Sequence, residues 1–361
     1  MKNEDIISLQ QKALELLQEL ITIPSFSKEE DQTAGALCRF IAKFGIAHSR
    51  VGNNVYAFNK HYDETKPTIL LNSHHDTVKP NKLYTLDPFK PIIKNGKLFG
   101  LGSNDAGGPL VSLIAAFLYF YDRENLKYNV IVAATAEEEI SGFDGIEKVL
   151  PYLGKIDCAI VGEPTQMQMA VAERGLMVLD CISTGKAGHA AREEGENAIY
   201  KAMRDIDWIN NYRFPGVSPL LGPVKMSVTV IDTENKAHNV VPAQCHFVID
   251  TRINELYSFE GVLDVIKKNI QSEINPRSTR LRSSSISAHH PLVLSGTAMG
   301  RTSYGSPTTS DKALMPFPSL KMGPGDSARS HTADEYIFVQ EINEGIELYI
   351  RLLEGVVGNP S

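Results

Sequence analysis

Thr68-Ile-Leu-Leu-Asn-Ser-His-His-Asp76 is the stretch that decides the fold. A short apolar run ends in side chains that bind protons and metals. The same grammar recurs further on. Tyr128-Asn-Val-Ile-Val-Ala-Ala134 is followed by Thr135-Ala-Glu-Glu-Glu139, and Cys158-Ala-Ile-Val161 by Gly162-Glu-Pro-Thr165. Ser319-Leu-Lys-Met322 leads into Gly323-Pro-Gly-Asp-Ser-Ala-Arg-Ser-His331. Helical segments lie between these runs, notably Pro109 to Asp122. Uninterrupted apolar strands alternating with helices predict an α/β fold with a mainly parallel sheet covered by helices. Ligands bind such sheets just past the carboxyl ends of the strands. The histidines and carboxylates fall there.

Outward from these strands, the N-terminus places Ile6, Leu9, Ala13, Leu16, Leu17 and Leu20 at helical spacing, and Pro24 closes that helix soon after. A second helix is expected over Glu29 to Phe44, stopped by Gly45. The last helix carries Val339, Ile342, Ile346, Tyr349, Ile350 and Leu353 on one stripe.

From Gly175 the rhythm changes. Gly175 to Thr184 reads as a strand, Glu196 to Tyr212 as a helix, and Lys225 to Thr233 and Ala243 to Ile253 as strands. Phe259 to Ile274 reads as a helix and Ser278 to Ser287 as a strand. The order β-α-β-β-α-β is the ferredoxin-like α+β unit. The expected organisation is a discontinuous catalytic domain, 1–174 and 289–361, with an inserted domain at 175–288.

Composition excludes several classes. The chain has 361 residues, 42% of them hydrophobic and 22% charged, as in ordinary globular proteins. A net charge of −7 argues against a nucleic-acid binder. The basic group Arg277, Arg280 and Arg282 reads as a solvated strand face. The longest apolar stretch, Leu110 to Tyr121, falls short of the roughly 20 residues of a membrane span. The charged N-terminal stretch lacks the apolar core of a signal peptide. Cys38, Cys158, Cys181 and Cys245 form no CxxC pair and read as reduced thiols. A soluble, cytoplasmic protein with no nucleic-acid or membrane partner is the expectation.

Asp105, in the turn Gly100-Leu-Gly-Ser-Asn-Asp-Ala-Gly-Gly108, adds a further carboxylate before a helix. Uncompensated carboxylates crowded at one sheet edge repel each other, and a divalent cation removes the problem. Nitrogen and oxygen ligands without thiolate suit zinc, with cobalt and manganese as alternatives. Each motif alone is an ordinary loop or helix start. Their joint occurrence after successive strands points to a metal site.

In combination and order, these motifs resemble the M20 family of metallopeptidases, and within it the acetylornithine deacetylase and succinyl-diaminopimelate desuccinylase group. The resemblance implies two divalent metals, zinc or cobalt. It implies His74 and Glu163 as ligands of the first, Glu139 and His331 as ligands of the second, and Asp105 as the bridge. Asp76 would orient His74 through its distal nitrogen. The peptide after the bridging residue, Asp105-Ala106, is expected to be cis. Glu138 would be the general base that takes a proton from the attacking water and delivers it to the leaving amine.

The insert carries three more positions of the same origin. His189, in Thr184-Gly-Lys-Ala-Gly-His-Ala190, would reach the partner subunit's site and stabilise the tetrahedral oxyanion. Asn239, in His238-Asn-Val-Val-Pro242, and Arg252, in Asp250-Thr-Arg252, would hold the substrate carboxylate. The plainer readings are a loop histidine, a turn asparagine and a strand salt bridge. Three departures from the family pattern stand out: Ser73 before His74, Ala106-Gly107-Gly108 after Asp105, and Ala190-Ala191 after His189.

The implied function is hydrolysis of the amide of an N-acyl amino acid by a cytoplasmic homodimer whose inserted domain is a dimerising lid. N-acetylornithine, or another N-acylated ornithine or citrulline of arginine biosynthesis, is the expected substrate. The alternatives are succinyl-diaminopimelate, then a dipeptide or other acyl amino acid. A metal-dead relative that only binds acyl amino acids is the non-enzymatic rival. A succinyl substrate calls for one extra cation or donor, and Arg174, Lys186, Arg192, Arg301 and Lys312 are the basic residues to locate.

Overall fold

Thr68–His74 and Asn129–Thr135 run parallel, with Thr68 opposite Asn129 and His74 opposite Thr135. Cys158–Val161 lies parallel on the other side of Thr68–His74, placing Asn72 opposite Val161. Ser319–Lys321 continues the parallel set, with Lys321 opposite Val161. His48–Val51 and Asn54–Phe58 extend one side of the sheet antiparallel. Met169–Glu173 joins the other side through Lys321 and Ala170. The four central strands therefore end at one edge.

These arrangements come from a computed structural model that describes residues 5–192 and 194–358. The chain forms two compact units. One comprises Met1–Val171, Ser285–Tyr304 and Ser310–Ser361, the other Ala172–Ser284 and Gly305–Thr309.

In the first unit the sheet is buried on both faces, which explains why its strands read as unbroken apolar runs. Every residue of Thr68–His74 is buried. Ile69 and Leu71 pack into one core with the helices Ile6–Ile21, Gly108–Phe120, Pro291–Ala298 and Val339–Val357. Leu70, between them, faces a second core with Ile131, Ala159, Ile146, Val149 and Leu153. This is the two-residue period of a strand. Gly108–Phe120 is buried at every position but Tyr119, so it is a core helix rather than an amphipathic one. The second helix is shorter than its pattern suggested, Asp31–Ala42. Among the described residues no helix is long and apolar enough to cross a membrane. All four cysteines are free thiols.

The second unit is a four-stranded antiparallel sheet in the order Lys225–Asp232, Gln244–Ile253, Gly175–Thr184, Glu273–Ser278. Helices Ala198–Asn211 and Phe259–Asn269 share its core, through Ala202, Ile209, Val262 and Ile266 against Leu179, Cys181, Phe247 and Ile249. Its last strand corrects the sequence reading. The helix ends at Asn269 and the strand is Glu273–Ser278, not Ser278 to Ser287. Pro276 sits within that strand because it lies at the sheet's edge, where a missing N–H costs no ladder bond. Arg280 and Arg282 consequently fall beyond it. Arg277 pairs with Asp180 and Arg282 with Glu260, so they form no open basic face.

Candidate metal centre

His74 is the last residue of its strand, and its side chain is 1% exposed. Nδ1 lies 3.0 Å from the Asp76 carbonyl oxygen and 3.4 Å from Asp76 Oδ1. Nε2 turns the other way. It stands 3.4 Å from Asp105 Oδ1, 3.8 Å from Glu138 Oε2 and 3.8 Å from Glu163 Oε1. On the far side, His331 Nε2 is 2.9 Å from Glu139 Oε2 and 3.7 Å from Asp105 Oδ2. Asp105 thus stands between the two imidazoles, one oxygen toward each.

The shared sheet edge delivers these groups. His74 ends one central strand, and Glu138 and Glu139 follow the next in a single 3₁₀ turn, Glu138–Ile140. Glu163 comes two residues after Cys158–Val161, and His331 follows Ser319–Lys321. Asp105 enters from the irregular turn Ser103–Gly107 ahead of the core helix, and the Asp105–Ala106 peptide is cis.

Five carboxylates converge here on two histidines, and the charge is unbalanced. Burial alone would depress the His74 imidazole. The carboxylates of Glu138, Asp105 and Asp76 outweigh it and hold the ring well above its ordinary pKa. Burial raises Glu138 well above the usual carboxylate range, and Glu163, Asp311 and Glu139 push the same way. The bond to Glu139, against a smaller effect of burial, lifts His331 to about 9. Imidazoles held charged beside a carboxyl that burial and its acidic neighbours push up mark a cluster of negative charge that a cation would compensate.

The donors fit a divalent cation. His74 Nε2 is buried without a hydrogen-bond partner, faced by carboxylate oxygens of Asp105, Glu138 and Glu163 at 3.4–3.8 Å. Two ligand-like groups share it. His74, Glu138 and Glu163 form one, and His74, Asp105 and Glu139 the other, with the donor atoms of each set within 4.8 Å of one another. Nitrogen and oxygen donors without sulfur suit zinc, manganese or cobalt. Distance groups Glu138 with His74 and Glu163 among the potential ligands.

Asp76 does more than orient a ring. Oδ1 accepts from the Glu138 N–H (3.1 Å), and Oδ2 from the Glu139 N–H (3.2 Å) and the Ser27 hydroxyl (2.7 Å). Sequence reasoning missed two further residues. Glu335, 2% exposed, accepts from the N–H groups of Gly102, Asn104 and Asp105 at 2.8–2.9 Å. Burial, then the charge of Asp105, lifts its carboxyl to about 8. Asp311 is also buried. It accepts from Thr135 Oγ1 (2.8 Å) and Asn72 Nδ2 (3.3 Å), near the ends of the strands that lead to Glu138 and His74. The one signal for Glu335 is an acid next to an apolar strand, and Asp311 has none.

His189, Asn239 and Arg252 belong to the second unit. Its ribbon Gly188–His189 pairs with Val240–Val241, and the Ala190 N–H donates to the Asn239 carbonyl at 3.0 Å. His189 and Asn239 are therefore neighbours, both exposed. Arg252 stands on the strand Gln244–Ile253. Its Nε and a terminal nitrogen donate to the two Asp250 oxygens at 2.8 and 2.9 Å.

The model of peptidase family M20/M25/M40 matches residues 70–355. The chain belongs to this family. Its curated M20 relatives include succinyl-diaminopimelate desuccinylase 2 of Ruegeria sp. (strain TM1040), 25% identical, covering 96% of this chain and 95% of the relative. The succinyl-diaminopimelate desuccinylase of Buchnera aphidicola subsp. Acyrthosiphon pisum (strain Tuc7) is 29% identical over 72% and 71%. Two solved structures share the M20 fold. A tripeptidase from Staphylococcus aureus subsp. aureus Mu50 matches with a TM-score of 0.76 at 18% identity, over 96% of this chain and 98% of that one. A dinuclear metal-binding M20 peptidase from Bacillus subtilis matches with a TM-score of 0.76 at 16% identity, over 97% and 99%. The chain is a metal-dependent amidohydrolase of the M20 family.

Proposed function

We propose that this M20 hydrolase cleaves the amide of an N-acylated diamino acid, releasing the acyl carboxylate and the free amine. The observation that carries the reading is the buried, unpartnered His74 Nε2 within a ring of carboxylates. His74, Asp105, Glu139, Glu163 and His331 are the residues that would hold two divalent cations, zinc first. Those cations would supply Lewis acidity toward the amide carbonyl and water. Glu138 takes the proton of the attacking water and passes it to the departing nitrogen. His189 donates to the oxyanion in the partner subunit's site, and Asn239 and Arg252 hold the substrate carboxylate.

N-acetylornithine, or another N-acylated ornithine or citrulline, remains our first substrate, because Gly100-Leu-Gly102 before Asp105 and Asp334-Glu335-Tyr336 near the last helix resemble the acetylornithine deacetylases of the group. The names of the curated relatives favour a second reading, N-succinyl-diaminopimelate. A succinyl group needs a cation within reach. Lys312 is 0% exposed and bonds the Ala170 carbonyl, and Arg174 bonds the Leu221 carbonyl. Lys186 and Arg192 are the exposed members of the set.

We read the second unit as the dimerising lid. Among the described residues, Lys225–Asp232 pairs on one side only. Tyr200, Met203, Val230 and Ile231 are exposed on that strand and on helix Ala198–Asn211. Both features suit self-association.

The test is a panel of acetyl- and succinyl-ornithine, citrulline and diaminopimelate, assayed with zinc, with cobalt and after chelation. Activity should vanish with the metal, return with either ion and be highest on one diamino acid. Full activity in a metal-free preparation, or no hydrolysis across the panel, would overturn the reading.

A further inference from the structure

Four consecutive amides lead into and through the acidic turn, and each is accepted by a buried side-chain oxygen from the N-terminal part of the chain. The Ala136 N–H goes to Asn54 Oδ1 at 3.0 Å. The Glu137 N–H goes to Glu30 Oε1 at 3.2 Å. Those of Glu138 and Glu139 go to the two oxygens of Asp76. Asn54 also donates to the Asp144 carbonyl at 2.6 Å and so ties both ends of the loop.

Glu30 is the unexplained member. It precedes helix Asp31–Ala42, yet its side chain does not cap that helix. It is 0% exposed and turns away. Oε1 takes the N–H groups of Lys28 (2.6 Å) and Glu137, and Oε2 takes Asn53 Nδ2 at 2.8 Å.

The residue it holds is conformationally unusual. Glu137 has φ +56°, a region that residues with a side chain rarely occupy. That turn sends three successive glutamates in three directions. The Glu137 carboxylate accepts from the Asp144 N–H at 3.4 Å, Glu138 faces His74 and Glu139 faces His331. The loop closes tightly behind it. The Gly142 N–H donates to the Glu137 carbonyl at 2.8 Å, and a Cβ at Gly142 would lie 2.6 Å from that of Glu137.

We propose that Glu30 is a positioning residue for hydrolysis: by accepting the Glu137 N–H it fixes the left-handed turn that aims Glu138. The proposal rests on Glu138 being the group that moves the proton. What the loop requires of Glu30 is reach, a carbonyl-type oxygen at the right distance, rather than charge. Glutamine keeps that oxygen, aspartate withdraws it by one methylene, and alanine removes it.

The experiment compares Glu30→Gln, Glu30→Asp and Glu30→Ala in the metal-loaded enzyme, with Glu138→Gln alongside. Glu30→Asp and Glu30→Ala should lower kcat by about 10²-fold, the scale of an ångström's misplacement of a reacting group. KM and bound metal should stay near wild type, and Glu30→Gln should retain kcat within about fivefold. Hydrogen exchange of the 136–144 segment, measured on chelated protein, should quicken in the Asp and Ala variants and not in Gln. If the Ala variant does not fold, the Gln and Asp pair decides. Unchanged kcat in Glu30→Asp, a loss that tracks lost metal, or an active Asp variant beside an inactive Gln variant would overturn the proposal. Inactive Glu138→Gln beside a flat Glu30 series overturns this inference alone. Active Glu138→Gln overturns the reading beneath it as well.

Discussion

Around His74, the groups assigned to the chemistry are held by other buried groups of their own unit. Asp76 fixes the backbone of Glu138 and Glu139, and Glu335 that of Asp105. In the second unit, His189 is exposed, and its Nδ1 accepts a local bond from the Ala191 N–H at 3.2 Å. Arg252 already has a carboxylate, that of Asp250. The first set is preorganised with donors that suit a cation, and the second is paired with its own neighbours or turned to solvent. Arg252 and Asp250 are 33% and 28% exposed, and a pair so wet contributes on the order of 1 kcal/mol or less. If a substrate carboxylate takes its place, displacing Asp250 costs little.

The largest effects should come from the preorganised set. Glu138→Gln is expected to cut kcat by about 10²–10⁴-fold with metal content nearly unchanged. Glu139→Gln should instead release metal, by elemental analysis of the dialysed protein. The reverse pattern would exchange the two roles, an outcome the distances alone permit.

Asp76→Ala comes next. Loss of its bonds to the turn and of its contact with His74 should weaken metal binding by about 10–100-fold, read by competition with a chelating dye. Wild-type affinity would show that the turn holds itself.

Arg252→Ala tests the other side of the contrast. If Asp250 is displaced by substrate, KM should rise about 10–100-fold, the worth of a charge-assisted hydrogen-bonded contact. Arg252→Lys, without the planar fork, should recover only part of it. Unchanged KM in both variants would leave Arg252 as a strand salt bridge.

The smallest effect is the most specific. Glu138→Ala and His189→Ala homodimers should each be nearly inactive. After dissociation and random reassociation, half the dimers are mixed and each has one intact site, giving about a quarter of wild-type activity. Demonstrated exchange with no recovery would remove His189 from the partner's site.

Much of this first unit was legible because strand and function share a local signal. Thr68–His74, Asn129–Thr135 and Cys158–Val161 announce themselves as apolar runs, and the candidate ligands lie at or just after their ends. The supports were not legible. Glu335 reaches Asp105 across 230 positions, and Glu30 reaches Glu137 across 107. A side chain that accepts from a distant backbone N–H leaves no periodicity behind. In the second unit the strand Glu273–Ser278 was not legible, because Pro276 interrupts its pattern and a proline fits a strand only at an edge, which pairing alone reveals.

The first unit's segments also set an order of assembly during synthesis. Residues 172–284 form a unit with its own core, and they and their short return at 305–309 emerge from the ribosome before Ser319–Lys321, His331, Glu335 and helix Val339–Val357. Until those last residues appear, helix Gly108–Phe120 lacks part of its covering and the sheet lacks one of its central strands. The nascent chain therefore carries an unfinished apolar surface through most of its translation, a stage at which chains are prone to aggregate. A product ending after Glu163 and before Ser319 keeps His74, Asp105, Glu139 and Glu163 without the strand and helix that complete their scaffold.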